Sequence, residues 1–216
     1  MKYRAVIFDM DGTLLNTLKD LADSVNKGLE QMGFPTHTLE SYKYFVGEGR
    51  EIMAKKTLPE GHRDQETVDR LTGFINVEYG RRWVENTQPY PGVPDLLNAI
   101  TEAKIKMAIL SNKPHDFTEK MAAKLLSRWN FDYILGASPD VPRKPDPAVA
   151  LRIANSMKID PACFVFVGDS DIDMKTANAA GMLAAGALWG FRTREELLAG
   201  GARELLQHPI DLLRLL

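Results

Sequence analysis

The sequence has few of the features that mark secreted, membrane-spanning or nucleic-acid-binding proteins. With 1 cysteine in 216 residues, no internal disulfide can form, and a reducing compartment is expected. No apolar run approaches the roughly 20 residues of a membrane-spanning helix. The 27 basic and 29 acidic residues give a net charge of -2, which does not favour binding to nucleic acid. We therefore expect a cytoplasmic monomer or homodimer without nucleic-acid or membrane partners.

The hydrophobic content is ample, and its distribution predicts two kinds of structure. Hydrophobic residues make up 44% of the chain, which suffices for a core of ordinary size. In the second half of the chain, helical patterns alternate with short apolar runs, which is typical of a parallel sheet covered by helices. We predict a doubly wound α/β core of residues 1–15 and 87–216, with an inserted all-helical block of residues 16–86. After residue 194 we expect only short helices.

The most informative stretch follows the first predicted strand. Residues 5–8 are apolar and predict a strand buried on both faces, and Asp9 and Asp11 leave its end together. Gly12 permits a tight turn and Thr13 offers a hydroxyl. Ligands of open α/β sheets bind at this carboxyl edge, where a hard cation such as Mg2+ would neutralise the two acids. In the alternative interpretation, the acids merely cap a loop.

Donor groups that suit phosphate oxygens follow at two later positions. Ser111, Asn112 and Lys113 come directly after a predicted strand, and Lys144 lies in a proline-rich turn just before a helix. Each signal is weak in isolation, because serine and asparagine commonly begin loops and a lysine in a turn is commonly solvated.

A second acidic loop follows the predicted strand at residues 164–167. It contains Asp169, Asp171 and Asp173 and leads into a helix. Asp171 or Asp173 would also serve as a simple helix N-cap. Asp169 leaves its strand directly, as Asp9 does, and this favours a role in binding a cation.

Together, these four strand-end motifs resemble the motifs of the haloacid dehalogenase-like superfamily, in the family's order and over essentially the whole chain. The resemblance implies a Rossmann-like core and a phosphatase that uses Asp9 as nucleophile and Asp11 as general acid and base. Lys144 and Ser111 would bind and stabilise the transferring phosphoryl group. The implied Mg2+ site consists of the Asp9 carboxylate, the Asp11 carbonyl, Asp169 and Asp173. Other implied phosphate-binding residues are Gly12, Thr13, Asn112 and Lys113.

The helical insertion resembles the small cap of the phosphoglycolate phosphatase branch. Gly47 and Gly49 permit close approach in a loop that ends at Arg50, which would pair with a substrate carboxylate. In the alternative interpretation, Arg50 is a solvated residue of a helix–helix turn. The implied substrate is a small phosphorylated metabolite, with 2-phosphoglycolate as the leading candidate. A β-phosphoglucomutase-like phosphomutase, a pyrophosphatase and a non-catalytic phosphate-binding regulatory protein are the alternatives.

Overall fold

The computed structural model describes residues 2–216. The chain divides into a larger unit, Met1–Leu15 with Pro89–Leu216, and a smaller unit, Asn16–Gln88. The strands are β1 (Ala5–Phe8), β2 (Leu15–Asn16), β3 (Gln88–Pro89), β4 (Lys106–Pro114), β5 (Tyr133–Ala137), β6 (Phe164–Gly168), β7 (Leu183–Ala187) and β8 (Glu204–Leu206). The two-residue strands β2 and β3 lie where the chain passes from one unit to the other.

Six strands of the larger unit form one parallel sheet in the order β5-β4-β1-β6-β7-β8. The first strand is central, with Phe8 beside Ile109 of β4 on one side and beside Val167 of β6 on the other. The direction of sheet growth reverses around β1, so the segments that leave β1, β4 and β6 meet at the carboxyl edge. This switch point is where open α/β sheets bind their ligands.

The continuous apolar runs of the strands follow from burial on both faces of the sheet. All residues of β1 are at most 1% exposed, and Phe164 and Phe166 of β6 are fully buried. Full burial of a phenylalanine side chain contributes roughly 2–3 kcal/mol relative to an exposed one. The sheet is therefore held rigidly, which fixes the positions of the polar residues that follow its strands.

Helices α5 to α9 connect the strands of the larger unit. They span Val93–Glu102, His115–Leu125, Ala148–Met157, Asp171–Ala179 and Arg194–Ala199, with 3-10 turns at Pro161–Cys163 and Pro209–Arg214. Ile153 of the third of these helices and Met174 of the fourth pack into the cluster beneath β1 and β6. The predicted α/β fold is confirmed.

The smaller unit is helical between its two end strands. Its helices α1 to α4 span Leu18–Gln31, Leu39–Phe45, Arg50–Thr57 and Gln65–Arg82, with a 3-10 turn at Glu60–His62. Buried apolar residues of α1 and α4, such as Val25 and Leu71, form its core. The buried carboxylate of Asp20 accepts hydrogen bonds from the backbone amides of Asn86 and Thr87 at 2.9–3.0 Å, which ties α1 to the returning chain.

The prediction of short helices alone after residue 194 is wrong for Glu204–Leu206. These three residues form the edge strand β8, with Glu204 beside Ala185 of β7. A three-residue strand carries too little periodicity to be recognised from sequence, and only the edge of β7 selects its conformation. Within residues 2–216, no helix combines the length and apolar character that a bilayer crossing requires.

Candidate functional site

Three buried carboxylates converge at the carboxyl edge of the sheet. Asp9 follows β1 and its amide donates to Val167 O at 2.9 Å, which holds the backbone against β6. Asp9, Asp169 and Asp173 are 7%, 2% and 0% exposed. One carboxylate oxygen from each lies within 4.8 Å of those of the other two. Carboxylate oxygens are the ligands of hard divalent cations, so this cluster suits such an ion.

The Lys144 ammonium lies between two of these acids. Its Nζ is 2.8 Å from Asp9 Oδ1 and 2.7 Å from Asp173 Oδ1, and its side chain is 3% exposed. Burial opposes the charge on Lys144, but the carboxylates of Asp173 and Asp9 outweigh burial and raise its pKa. Lys144 is therefore a fixed positive charge in the cluster.

Despite this ion pair, Asp9 is the least satisfied group of the site. Within residues 2–216 the ion pair with Lys144, at 2.8 Å, is the short polar contact of its Oδ1, which accepts no other hydrogen bond. Burial raises the pKa of the Asp9 carboxyl to about 7, against the opposing effect of Lys144. Burial, together with Asp173 and Asp9, also raises the pKa of Asp169 well above its usual range. A cation would relieve both effects by stabilising the ionised carboxylates.

Asp11 lies outside this cluster and has a lysine of its own. The Lys113 Nζ is 3.2 Å from Asp11 Oδ1 and 3.1 Å from Oδ2, so the ammonium bridges both oxygens. The Lys113 side chain is 2% exposed and that of Asp11 is 12% exposed. The structure thus places the Lys113 ammonium on the carboxylate predicted to act as acid and base.

Two hydrogen bonds orient the Asp169 carboxylate, and two glycines leave space for it. Its Oδ1 accepts from Thr13 Oγ1 at 3.3 Å and its Oδ2 accepts from the Phe191 amide at 2.8 Å. A Cβ on Gly12, whose φ is +85°, would lie 2.2 Å from Asp169 Oδ2, and a Cβ on Gly190 would lie 2.2 Å from Asp169 Cβ. Only glycine therefore fits at these two positions beside the carboxylate.

Asp173 combines a capping role with its place in the cluster. Ser170 is the N-cap of the helix at 171–179, and its hydroxyl donates to Asp173 Oδ2 at 2.6 Å while Asp173 Oδ1 faces Lys144. Asp171 instead lies in the first turn, where it pairs with Lys175 at the surface. The helix N-cap is thus Ser170 and neither Asp171 nor Asp173, and Asp173 completes the capping box with Ser170.

The remaining predicted phosphate-binding residues of this edge are Ser111 and Asn112. Ser111 is 4% exposed, and its Oγ accepts from the Lys113 amide at 3.3 Å. The Asn112 side chain binds the backbone of Lys144 on both sides, as donor to its carbonyl and acceptor from its amide. Asn112 therefore connects the end of β4 to the turn that carries Lys144.

The predicted cap residues lie in the smaller unit. Gly47 and Gly49 have φ values of +124° and +100°, which glycine adopts without strain. Arg50 begins α3, donates a hydrogen bond from Nη1 to Asn76 Oδ1, and lies with its guanidinium 5.6 Å from the Tyr79 ring centroid. Within its unit, Arg50 is thus anchored to α4.

Trp189, Gly190 and Phe191 contribute to the site, although the sequence does not identify them as site residues. This segment follows β7, and it supplies Gly190 and the Phe191 amide to Asp169, while Trp189 Nε1 donates to Thr13 O at 2.9 Å. The apolar run before this segment predicts a strand end here, but the segment contains no acid, serine or lysine that would suggest a site residue.

Comparisons with known proteins agree with this geometry. The pattern of the family described as haloacid dehalogenase-like hydrolase matches residues 6–187. A phosphoglycolate phosphatase of Pseudomonas putida is 31% identical over 191 residues, covering 87% of this chain and 70% of that protein. A phosphoglycolate phosphatase of Aquifex aeolicus is 28% identical over 217 residues, covering 99% of this chain and 96% of the relative.

A solved structure gives the same result for the fold. The crystal structure of a Lactobacillus delbrueckii protein, to which phosphoglycolate phosphatase activity has been attributed, matches with a TM-score of 0.92 at 29% identity. The match covers 98% of this chain and 97% of that chain. With its parallel sheet, its buried aspartates and lysine, and a family match across most of its length, the chain belongs to the haloacid dehalogenase-like hydrolase family.

Proposed function

We propose that this hydrolase is a Mg2+-dependent phosphatase that acts on a small phosphomonoester through an aspartyl-phosphate intermediate. The observation that carries the proposal is an excess of negative charge at the carboxyl edge. Asp9, Asp11 and Asp173 contact the two ammonium groups of Lys113 and Lys144, and the buried Asp169 adds a fourth carboxylate to the same edge. Two buried negative charges without compensation are strongly unfavourable, and one divalent cation would balance them.

The residues present fit such a cation. Asp9, Asp169 and Asp173 would hold it, together with the backbone carbonyl of Asp11, because one carboxylate oxygen from each of the three acids lies within 4.8 Å of those of the other two. When bound, Mg2+ would supply positive charge that offsets the repulsion between a carboxylate nucleophile and the phosphoryl oxygens.

The chain's own groups perform the proton and phosphoryl transfers. In the first step, an Asp9 carboxylate oxygen attacks phosphorus, the ester P–O bond breaks, and Asp11 gives its proton to the leaving alkoxide. In the second step, a water molecule loses a proton to Asp11 and attacks phosphorus, and the P–O bond to Asp9 breaks. Inorganic phosphate and the free Asp9 carboxylate result. Lys144 and Ser111 would bind and stabilise the transferring phosphoryl group.

The leading substrate is 2-phosphoglycolate. Its support is the name shared by the relatives of Pseudomonas putida and Aquifex aeolicus and the presence of Arg50 as a candidate partner for a carboxylate. The helical unit of residues 16–88 would serve as the cap that excludes water during transfer.

The proposal is tested by assaying hydrolysis of 2-phosphoglycolate, β-glucose 1-phosphate and pyrophosphate with Mg2+ and with EDTA. We expect Mg2+-dependent release of phosphate, fastest from 2-phosphoglycolate. Interconversion of glucose phosphates without phosphate release would indicate a phosphomutase, and no turnover of any compound would indicate a binding protein.

A pair of matched variants tests the nucleophile. Asp9→Asn should abolish turnover and the acid-stable protein label from 32P-labelled substrate, while the circular dichroism spectrum is retained. Asp171→Asn is the control, because Asp171 is a surface acid paired with Lys175, and its activity should stay within about twofold of the wild type. Phosphoryl labelling that survives in Asp9→Asn would remove Asp9 from the nucleophile role.

A further inference from the structure

Lys113 and Asp11 form a separate ion pair beside the acidic cluster. The Lys113 ammonium bridges both Asp11 oxygens at 3.1–3.2 Å, while Lys144 contacts Asp9 and Asp173. The acid proposed to transfer protons is therefore paired with Lys113, and two of the three acids proposed to hold the cation, Asp9 and Asp173, are paired with Lys144.

Stability alone does not account for this arrangement. Both side chains are at least 88% buried, with exposures of 2% for Lys113 and 12% for Asp11. Desolvation of two such charges offsets much of the Coulombic gain, and apolar pairs of similar volume often stabilise a fold equally well. The pair therefore serves the geometry of the site.

The backbone that carries Lys113 is held firmly. Phe8 of β1 lies beside Ile109 of β4, so the segment that leaves β1 runs next to the last residues of β4, which include Lys113. The Lys113 carbonyl accepts from Thr118 Oγ1 at 3.3 Å in the following helix. A Cβ on Gly136 of β5 would lie 2.6 Å from Lys113 O, so the neighbouring strand also packs directly against this carbonyl.

We propose that Lys113 is the positioning residue for Asp11. It fixes the orientation of the carboxyl group so that its proton reaches the leaving oxygen in the first step and a water proton reaches it in the second. This inference rests on the proposed phosphatase function and extends it to a residue that acts through Asp11. A phosphate-binding role for Lys113, as the family resemblance implies, makes a different prediction.

Substrates with different leaving groups separate these roles. Lys113→Met should slow the first step of 2-phosphoglycolate and ethyl phosphate by about 100-fold in single-turnover experiments, because an alkoxide must be protonated as it leaves. Release of p-nitrophenolate from p-nitrophenyl phosphate should slow less than about fivefold, because this anion leaves without a proton. Lys113→Arg should recover part of the loss, since it keeps the charge on Asp11.

The matched control is Lys106→Met. Lys106 begins the same strand and pairs with Asp132, but its side chain is 55% exposed. Its removal should leave all three rates unchanged within about twofold, because an exposed ion pair contributes little. Circular dichroism and thermal unfolding of every variant establish that the comparison is made on folded protein.

A double-mutant cycle gives the decisive readout. If Lys113 acts through Asp11, Lys113→Met should slow ethyl phosphate by less than about threefold when introduced into Asp11→Asn, since no carboxyl group remains to be oriented. If Lys113→Met alone unfolds, Lys113→Arg, which keeps the charge, takes its place in the cycle.

Three results would overturn the proposal. Equal slowing of all three substrates would make Lys113 a phosphate-binding or structural residue. Slowing of 2-phosphoglycolate alone would make it a carboxylate-binding residue, and full additivity in the cycle would show that it acts independently of Asp11. Failure of the proposed function itself would be visible earlier, as absence of turnover in the wild-type protein.

Discussion

The side-chain amide of Asn112 forms two hydrogen bonds with the backbone of Lys144. Asn112 Nδ2 donates to the Lys144 carbonyl at 3.0 Å, and the Lys144 amide donates to Asn112 Oδ1 at 2.9 Å. These bonds join the end of a sheet strand to a turn 32 residues further along the chain. The position of the Lys144 ammonium between Asp9 and Asp173 thus depends on an amide side chain in a different segment.

We expect Asn112→Ala to impair catalysis by displacing Lys144. The change leaves a buried amide and a buried carbonyl unpaired, which should lower the free energy of unfolding by about 1–3 kcal/mol. It should lower kcat for 2-phosphoglycolate and p-nitrophenyl phosphate to a similar extent, by about tenfold or more, because Lys144 would stabilise the phosphoryl group common to both. Steady-state kinetics and urea unfolding provide the two measurements.

The control is Asn98→Ala, which removes a side chain that accepts a hydrogen bond from Trp129 Nε1 at 2.8 Å in another part of the larger unit. It should lower the free energy of unfolding but leave kcat for both substrates near the wild-type value. An Asn112→Ala protein with wild-type kcat would show that Lys144 is positioned by its turn alone.

The buried acids predict an unusual dependence of stability on pH. Burial raises the pKa of Asp9 from 3.8 in an exposed carboxyl to about 7, so the metal-free folded protein binds more protons than the unfolded chain between these values. Its free energy of unfolding should therefore fall as pH rises from about 4 to 7, by on the order of a few kcal/mol. Mg2+ requires the ionised acids, so its stabilising effect should increase over the same range.

Thermal unfolding in EDTA and in Mg2+ at about pH 5, 6, 7 and 8 measures both effects. In EDTA, Asp9→Asn should flatten the decline, because the amide does not titrate. The difference between wild type and variant isolates Asp9 from other titrating groups. A wild-type decline no steeper than that of Asp9→Asn would contradict the raised pKa.

The sequence predicts the positions of the site residues better than their partners. The strand ends before Asp9 and Asp169 can be recognised, because buried parallel strands are continuous apolar runs that stop at polar residues. Ser111, which the sequence also places after a strand, lies inside β4, because this strand continues through polar residues to Pro114. The contacts of Asn112 with Lys144 and of Lys113 with Asp11 cannot be predicted in this way, because they depend on which strands become neighbours in the sheet. A donor that appears free for phosphate in the sequence can be engaged by an adjacent segment.

The same reasoning explains why Gly190 is missed while Gly12 is found. Gly12 follows a pair of acids within a recognisable turn, whereas Gly190 acquires its importance only when β7 places it against Asp169. The short strand β8 is missed for a related reason, since its conformation depends on hydrogen bonds to β7. Long-range packing thus supplies the information that local periodicity lacks.

Gly190→Ala should weaken metal binding. A Cβ at this position would lie 2.2 Å from Asp169 Cβ and 2.5 Å from Gly12 O, so Asp169 must shift. Displacement of a carboxylate ligand should weaken Mg2+ binding by about 10–100-fold, the range typical of groups that orient metal ligands. Isothermal titration calorimetry with Mg2+ measures the change directly.

The same substitution at Gly73 is the matched control. Gly73 lies in α4, and a Cβ there meets nothing within 4 Å. Gly73→Ala should raise the free energy of unfolding by about 0.5–1 kcal/mol and leave Mg2+ affinity unchanged. If Gly190→Ala binds Mg2+ as tightly as Gly73→Ala does, the position of Asp169 does not determine metal affinity.

The last prediction concerns Arg50 and the choice of substrate. If its guanidinium pairs with the carboxylate of 2-phosphoglycolate, Arg50→Ala should reduce kcat/KM for this substrate by at least about tenfold, because loss of a desolvated charge pair costs on the order of 2–5 kcal/mol. Ethyl phosphate and p-nitrophenyl phosphate have no carboxylate and should be hydrolysed at nearly the wild-type rate. Asn76→Ala removes the hydrogen bond that Arg50 makes within its unit and should have the smaller effect on 2-phosphoglycolate. Equal losses of kcat/KM for all three substrates, or equal losses in both variants, would identify Arg50 as a structural residue that anchors α3 to α4. Selection of 2-phosphoglycolate would then depend on other residues.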